Sequence, residues 1–477
     1  MRKTTTLICL VTVALLSIHF NCKKKGENST QEPPVPGVAV NSWLTLGNAT
    51  ALLQKQTVMN FAGGNPSTPL VIDVDSTQRF QTIDGFGFTL TEGSAYLINR
   101  LAPAQRSALL QELFGSGEND IRINYLRLGI GATDLSTRVY SYNDLPAGQT
   151  DVNLTQFNLS QDTVDVIPVL KQILAINPGI KLMSTPWSAP VWMKDNNNSV
   201  GGSLLPQYYS VYAQYFVKYI QQMQARGIVI DAITPQNEPL HGGNNPSMVM
   251  TAAQQADFIK NHLGPAFRAA GLTTKIVIYD HNCDRPDYPN TILNDAAARQ
   301  FVDGSAFHLY AGDIAALSTV RDAHPDKNIY FTEQWTGSNG SFAGDLRWHL
   351  RNVIIGSMRN WSKVALNWNL ANDGGFRPAT PGGCTQCKGA VTLDGTVGRN
   401  VGYYIIGHAS KFIPQGSVRI ASGNVGNLYS AAFVTPAGNK VLILLNDGTN
   451  SVNFSIRYKG QFVTTSAAAG AVLTYVW

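Results

Sequence analysis

Two glutamates, Glu238 and Glu333, stand at the ends of predicted strands and are the side chains best suited to do chemistry. Glu238 lies in Pro235-Gln-Asn-Glu-Pro239, directly after an apolar run at residues 228–234, and Glu333 ends a second run within Phe331-Thr-Glu-Gln-Trp335. Two neighbouring carboxyl groups with different pKa values can act on the two sides of a glycosidic bond. The pair therefore indicates a site that cleaves glycosides.

Further polar and aromatic residues follow the same and neighbouring predicted strands. Aromatic rings suit the apolar faces of sugars, whereas arginine, aspartate and asparagine suit their hydroxyl groups. The candidate substrate-binding residues are Arg127, Asp134, Trp187, Asn237, His308, Tyr310, Trp335 and Trp368. Their accumulation at strand ends favours a sugar-binding site over a chance motif.

Each of these residues, taken alone, has a simpler explanation. A glutamate after a strand is often a solvated loop residue or a helix cap, and His308 could equally be a hydrogen-bonded core histidine. The run Asp280-His-Asn282 offers possible metal ligands, but loops rich in oxygen and nitrogen are common. We therefore predict neither a metal site nor a cofactor.

These residues need a scaffold that brings strand ends together. Eight candidate strands alternate with helical stretches, at residues 84–90, 121–129, 181–185, 228–234, 275–280, 305–310, 328–333 and 363–369. This pattern favours an α/β fold of the (β/α)8 TIM barrel type, in which the active site lies at the carboxyl ends of the strands. Glu238 then ends the fourth strand and Glu333 the seventh. A doubly wound open sheet is the competing interpretation, but no glycine-rich phosphate loop opens a helix.

The end of the chain predicts a second domain. After Pro414, four short β-rich runs are separated by turns, at residues 428–434, 441–446, 452–458 and 471–477. They favour an attached all-β sandwich domain. We assign residues 83–410 to the catalytic barrel and residues 411–477 to the sandwich. We expect residues 41–82 to contribute strands to the sandwich, among them the segments 71–74 and 79–82.

The charge of the chain is concentrated at its start. Residues 1–25 hold five of the 36 basic residues and no acidic residue, which accounts for the whole net charge of +5 on the 477 residues. The neutral remainder argues against a nucleic-acid partner, because phosphate binding draws on clustered lysine and arginine.

The basic start is followed by a short apolar run and then by Cys22. This order predicts a signal peptide of the lipoprotein type over residues 1–22, with a flexible linker over residues 23–40. Membrane attachment would occur through lipidated Cys22, and ordinary cleavage nearby is the alternative. We expect an exported protein, either an outer-membrane or cell-surface lipoprotein or a periplasmic or secreted one.

Two further cysteines form the pattern Cys384-Thr-Gln-Cys387. One such pair is at most half of a zinc ribbon. In an exported protein, a local disulfide that pins a loop is favoured over two free thiols.

Several motifs together resemble glycoside hydrolase family 30, the family of glucosylceramidases and endo-β-1,6-glucanases, and in particular its bacterial members. The matching stretches are residues 81–90, 127–136, 140–144, 185–194, 234–239, 306–310, 331–335, 367–370 and 407–414. The resemblance implies a retaining double displacement with Glu238 as the acid/base and Glu333 as the nucleophile. It places Arg127 and Tyr310 beside the nucleophile and Asn237 on the 2-hydroxyl of the sugar. It assigns the pocket for the sugar on the non-reducing side to Asp134, Trp187 and Trp368.

The same resemblance bears on the substrate. Residues 85–95 and the segment around Glu333 are more similar to bacterial endo-β-1,6-glucanases than to animal glucosylceramidases, which have phenylalanine in place of Leu135. We therefore expect a β-1,6-glucan substrate. A β-glucosidase or glucosylceramidase is the alternative, and a glycan-binding surface lipoprotein without turnover is a more remote one. Endo or exo action and the oligomeric state are left open at this point.

Overall fold

The computed structural model describes residue 1 and residues 37–477. The predicted signal peptide, Cys22 and most of the predicted linker lie outside these residues. The first strand begins at Ala39, so the last two residues of the predicted linker belong to a strand. Within the described part of the chain, no helix is long and apolar enough to cross a membrane.

The strands of the described residues are β1 (Ala39–Thr45), β2 (Gln54–Lys55), β3 (Met59–Asn60), β4 (Val71–Thr82), β5 (Gly85–Leu90), β6 (Tyr125–Gly129), β7 (Lys181–Thr185), β8 (Ala232–Ile233), β9 (Lys275–Cys283), β10 (Val302–Gly312), β11 (Asn328–Glu333), β12 (Thr336–Gly337), β13 (Ser362–Asn369), β14 (Ala371–Asn372), β15 (Cys387–Lys388), β16 (Val391–Asp394), β17 (Thr396–Arg399), β18 (Val418–Ser422), β19 (Leu428–Val434), β20 (Lys440–Asn446), β21 (Val452–Tyr458), β22 (Gln461–Ala467) and β23 (Val472–Val476). The α-helices are α1 (Glu92–Arg100), α2 (Pro103–Phe114), α3 (Val166–Ile176), α4 (Tyr209–Gln224), α5 (Ala252–Phe258), α6 (Gly264–Ala269), α7 (Asp287–Asn294), α8 (Ala296–Arg299), α9 (Ala316–Ala323), α10 (Phe342–His349), α11 (Ser357–Arg359) and α12 (Val401–Ser410). Two π-helical stretches, Ile259–Leu263 and Leu350–Gly356, join α5 to α6 and α10 to α11, and short 3-10 turns lie at Val191–Met193 and Pro206–Tyr208.

Eight parallel strands close into a barrel in the order β5, β6, β7, β8, β9, β10, β11 and β13, with β13 pairing back to β5. This confirms the predicted TIM barrel. Its interior is a separate apolar cluster, as expected for the layered core of such a barrel, formed by Tyr125, Met183, Ala232, Val277, Ala306, Tyr330, Val364 and Leu366. Strand β5 contributes Gly87 there, because a Cβ at this position would lie 1.9 Å from the backbone oxygen of Tyr125.

The fourth strand is shorter than predicted. Residues 228–234 are predicted as a strand, but β8 spans only Ala232–Ile233. The reason lies at Asp231, whose side-chain Oδ2, rather than a backbone carbonyl, accepts the N–H of Leu182 at 2.9 Å. The N–H of Asp231 still donates to the carbonyl of Leu182 at 2.9 Å, and the regular register with β7 pairs only Ala232 with Met183 and Ile233 with Ser184.

The second domain is a β-sandwich built from both ends of the described chain. Its strands run in the order β2, β1, β23, β20, β19, β18, β4, β21 and β22, and β3 pairs with β1. Residues 71–74 and 79–82, predicted as two segments, belong to the single strand β4, which leads directly into the barrel. Strands β18 and β22 were not predicted. The sandwich encloses its own apolar core, which includes Ile72, Leu442, Phe454 and Tyr475.

Candidate active site

A buried arginine organises the carboxyl end of the barrel. Arg127, in β6, has no exposed surface. Its Nη1 donates to Oε2 of Glu333 at 2.6 Å. Its Nη2 donates to Oδ1 of Asn237 at 2.7 Å and to Oδ2 of Asp280 at 2.8 Å. The donors of a guanidinium form a rigid planar fork, so one side chain fixes groups from the fourth, fifth and seventh strands of the barrel.

His308, on β10, joins the second glutamate to this network. Its Nδ1 lies 3.0 Å from Oε1 of Glu238, and its Nε2 lies 3.1 Å from Oδ1 of Asp280. Against burial, the charge of Glu333 and the hydrogen bonds to Asp280 and Glu238 raise the pKa of His308 to about 9. His308 is therefore an imidazolium at neutral pH, and both of its ring nitrogens are donors.

Two irregular backbone positions aim these groups into the barrel. The register between β9 and β10 skips Asp280, which is the extra residue of a β-bulge. Asp280 has a φ of +62° and Glu238 has a φ of +44°, a region that few residues other than glycine adopt. The N–H of Glu238 donates to the carbonyl of Asp280 at 3.0 Å and ties the two positions together. Bulges and strained residues of this kind gather at functional sites.

Glu238 and Glu333 face each other at the barrel mouth. One oxygen of each carboxylate and a ring nitrogen of His308 lie within 4.8 Å of one another. Against burial, the hydrogen bond and the charge of His308 lower the pKa of Glu238. Burial raises the pKa of Glu333, and the charge of Glu238 adds to this rise against the attraction of His308 and Arg127. Oxygens this close suit the separation of about 5–5.5 Å between the carboxyl groups of retaining enzymes.

The carboxyl pair opens into a cavity of about 360 Å³. The rings of Trp187 and Trp368 pack side by side with centroids 5.3 Å apart, and Trp335 also lines the cavity. The Tyr310 hydroxyl donates to Oε1 of Glu333 at 2.9 Å. Flat aromatic rings beside a few placed polar groups are the ordinary lining of a sugar site.

A disulfide-bonded loop forms another wall of this cavity. Cys384 and Cys387 form a disulfide, the pairing that the sequence favours, and both residues line the cavity. The backbone N–H of Cys384 donates to Oδ2 of Asp134 at 3.2 Å. Burial, with the charges of Glu333 and Glu238, raises the pKa of Asp134 to about 7. The disulfide thus lies at the site rather than on a remote loop.

The structure brings all ten candidate residues to one end of the barrel. Arg127, Asn237 and His308 support the carboxylates, and the residues that line the cavity are Asp134, Trp187, Glu238, Tyr310, Glu333, Trp335 and Trp368. The sequence analysis missed Asp280, which it considered only as a metal ligand. Asp280 ends the fifth predicted strand just as Glu238 ends the fourth, and this position could have identified it as a site residue. His281 and Asn282, at the end of β9, also line the cavity and were likewise considered only as metal ligands. His241 and Asn244, in the loop after β8, line it too and carried no such signal.

The cluster of Glu238, His308 and Glu333 is compact enough to surround a cation. A metal ligand, however, must offer a lone pair. The imidazolium of His308 donates from both ring nitrogens and has none to offer. A metal ion could bind here only by displacing the proton of His308.

Comparisons with known proteins agree with this geometry. The chain is 36% identical over 435 residues to an endo-1,6-β-D-glucanase of Neurospora crassa, and the aligned region covers 87% of this chain and 89% of that protein. It is 29% identical over 447 residues to the lysosomal acid glucosylceramidase of Mus musculus, with 86% and 84% covered. A solved endo-β1,6-glucanase structure superposes with a TM-score of 0.85 at 35% identity, over 92% of this chain and 99% of that one.

Two family models match consecutive parts of the chain. The TIM-barrel domain of glycosyl hydrolase family 30 matches residues 83–413, and the β-sandwich domain of the same family matches residues 416–475. The two matches meet between α12 and β18, where the barrel passes into the sandwich. The chain therefore belongs to glycosyl hydrolase family 30.

Proposed function

We propose that this glycoside hydrolase is a retaining endo-β-1,6-glucanase. The observation that carries the proposal is the pair of buried glutamates, with carboxylate oxygens within 4.8 Å, at the floor of an aromatic cavity. The similarity to endo-1,6-β-glucanases of known structure and sequence supports the choice of glucan. Polar residues on the open side of the cavity, such as Asn244 and Asn282, suit sugar hydroxyls better than a lipid chain.

The reaction proceeds in two displacements. Oε1 or Oε2 of Glu333 attacks the anomeric carbon while Glu238 protonates the departing glycosidic oxygen, which leaves a glucosyl ester on Glu333. Glu238 then removes a proton from water, and the water oxygen displaces the ester with net retention of the β configuration. The bonds from Arg127 and Tyr310 hold the two oxygens of Glu333 in place for attack.

The first step requires the proton of the pair to lie on Glu238. In the free cavity, His308 favours the ionised form of Glu238. A bound sugar excludes water from Glu238 and brings an acceptor oxygen to it, and both changes favour its protonated form. Positive charge that develops at the anomeric carbon favours the ionised form of Glu333. Substrate binding thus arranges the protonation states that the reaction needs.

Asn237 contributes through its amide. Its Oδ1 accepts from Arg127, which orients the amide so that Nδ2 is the group left to donate. Within the described residues, Nδ2 has no hydrogen-bond partner. It is therefore the donor available to a sugar hydroxyl beside the reacting carbon.

The experiment measures reducing sugar released from β-1,6-glucan by the wild type, Glu333→Gln and Glu238→Gln. We expect rapid release by the wild type and a loss of at least about 1000-fold in Glu333→Gln, because the amide is a far weaker nucleophile. Glu238→Gln should retain activity on an aryl β-glucoside with a good leaving group, where protonation matters less. Equal activity of Glu333→Gln and the wild type would overturn the nucleophile assignment.

Assays on glucosylceramide and β-1,6-glucan in parallel distinguish the glucanase proposal from its alternatives. Hydrolysis of glucosylceramide and not of β-1,6-glucan would replace the glucanase proposal with a glucosylceramidase. Binding of glucan without release of sugar by the wild type would make the chain a glycan-binding protein. Short and long oligosaccharides among the first products would establish endo action, whereas glucose alone would establish exo action.

We also propose that the chain is exported as a lipoprotein anchored through Cys22. The basic and apolar start supports export, and a disulfide at the active site suits an oxidising compartment. Metabolic labelling with a fatty acid should mark the wild type and not Cys22→Ser. Label in both proteins, or in neither, would contradict the anchor.

A further inference from the structure

A second cavity adjoins the catalytic one, on the far side of Trp335. Its volume is about 180 Å³, and it lies among Trp335, Gly337, Asn339, Gly340 and the residues of α10. It is built from the loop that follows the nucleophile strand β11 and from the helix after that loop. The two cavities thus share a wall, which is formed by Trp335.

The lining of this cavity includes an aromatic ring open to solvent. Trp348, in α10, is 40% exposed. Most tryptophans bury more of their ring, because its apolar area is large. Trp335 lines both this cavity and the catalytic cavity. Two tryptophans therefore extend the aromatic surface from the catalytic site outwards.

The same cavity holds polar oxygens that lack partners. Oε1 of Gln334 and Oδ2 of Asp345 are buried, and neither has a hydrogen-bond partner among the described residues. Gln334 is only 7% exposed as a whole. A buried acceptor without a donor is costly. Both oxygens are also closed to solvent, so the polar group that a ligand in this cavity can reach is the exposed side chain of Asn339, which lines the cavity as well.

The position of Trp335 is itself fixed. Nε2 of His349 lies 3.0 Å from the backbone oxygen of Trp335. The next residues, Thr336 and Gly337 of β12, pair with Cys387 and Lys388 of β15. The wall between the two cavities is thus held on one side by α10 and on the other by the disulfide loop.

We propose that this second cavity is a distal subsite that binds a further glucosyl unit of the substrate, with Trp348 as its aromatic platform. The unit stacks its apolar face on the Trp348 ring and presents its hydroxyls to Asn339. The proposal rests on the proposed function, since it takes a chain of β-linked sugars as the ligand. It assigns to Trp348 the recognition of chain length.

The test compares kcat/KM on β-1,6-gluco-oligosaccharides of two to six units and on an aryl β-glucoside. In Trp348→Ala, the ratio of kcat/KM for the longest oligosaccharide to that for the aryl glucoside should fall about 10-fold, the loss of one sugar–aromatic contact. Trp348→Phe keeps a ring and should recover most of that ratio. Asn339→Ala should lower it by a smaller factor, because it removes a polar contact and leaves the ring in place.

An equal fall for all substrates would overturn the subsite and make Trp348 a structural residue. An unchanged ratio would overturn it as well. A binding measurement separates this failure from failure of the proposed function. In the Glu333→Gln background, Trp348→Ala should weaken binding of the β-1,6-linked hexasaccharide about 10-fold. Equal binding with and without Trp348 would refute the subsite, even when the wild type cleaves β-1,6-glucan.

Discussion

At the scale of single residues, Arg127 and Asp280 decide what the two glutamates can do. Arg127 is buried without solvent and contacts Glu333, Asn237 and Asp280 at once. Asp280 neutralises part of its charge and also holds His308. Removal of one partner from a buried charge network leaves the others uncompensated. Substitution of Arg127 or of Asp280 should therefore impair catalysis, although both residues act through the glutamates and His308.

Arg127→Lys tests the fork geometry of the arginine. A lysine keeps the charge but cannot donate to Glu333, Asn237 and Asp280 in one plane. We expect kcat to fall about 100-fold or more, with a smaller change in KM. Arg100→Lys is the control, because Arg100 is an exposed arginine that pairs with Asp165 outside the site. Steady-state kinetics and thermal unfolding of both variants provide the check, and a kcat of Arg127→Lys close to that of the wild type would contradict the role.

Asp280→Asn tests the charge that keeps His308 protonated. Against burial, the charge of Glu333, the hydrogen bonds to Asp280 and Glu238 and the charge of Asp280 raise the pKa of His308 to about 9. Without the charge of Asp280, the pKa of His308 falls, so the imidazolium is lost at a lower pH. Because the imidazolium offsets the repulsion of the two glutamates, the alkaline limb of the kcat profile should move to lower pH. The profile is measured from pH 5 to 10, and an unshifted alkaline limb would contradict the link between Asp280 and His308.

At the scale of elements, the sequence predicts the barrel well because its strands are apolar and buried on both faces. The position of Glu333 at the end of β11 follows directly from such a run. The bulge at Asp280 could not be predicted, because a bulge depends on the register between β9 and β10 rather than on local sequence. Strand β22 was missed because it lies at a sheet edge and alternates only weakly between buried and exposed residues. The position of the disulfide beside the cavity could not be predicted either, because it depends on the pairing of β12 with β15, which lie far apart in the sequence.

Opening the disulfide should loosen one wall of the catalytic cavity. The bond holds Cys384 where its N–H donates to Asp134, and it keeps Cys387 packed near Trp187 and Trp368. In Cys384→Ser/Cys387→Ser, we expect KM for a β-glucoside to rise about 10-fold, with less change in kcat, since the carboxylates stay on the barrel. Treatment with a dithiol should raise KM of the wild type in the same way and leave the double variant unchanged. A dithiol effect on both proteins, or on neither, would contradict this role.

At the scale of the whole molecule, helix α12 connects the barrel to the sandwich, which is built from both ends of the described chain. Every residue of α12 is buried. His408 in α12 connects to two sandwich strands, since its Nδ1 lies 2.9 Å from Oγ1 of Thr474 and its Nε2 lies 2.8 Å from Oγ1 of Thr45. The Thr474 hydroxyl donates to the backbone oxygen of His408, and the N–H of Leu53 donates to Oγ1 of Thr45. This network fits a neutral imidazole that donates from Nδ1 to Thr474 and accepts at Nε2 from Thr45.

Protonation of His408 should therefore weaken the joint between the domains. Burial lowers the pKa of His408 from 6.5 to about 3. The folded state binds this proton less readily than the unfolded state, so the contribution of His408 to stability is complete above pH 6.5 and is lost as the pH falls towards 3. Linkage gives a loss of about 2 kcal/mol at pH 5 relative to pH 7.

His408→Gln removes the titration and keeps a side chain that can both donate and accept. Thermal unfolding between pH 7 and pH 5 should show a smaller fall in Tm for His408→Gln than for the wild type. A slope should remain in the variant, because burial also lowers the pKa of His281 and His349 to about 4. His262→Gln, on the outer helices of the barrel, serves as the control and should retain the wild-type slope. Parallel pH dependence of the wild type and His408→Gln would show that the joint does not respond to this histidine.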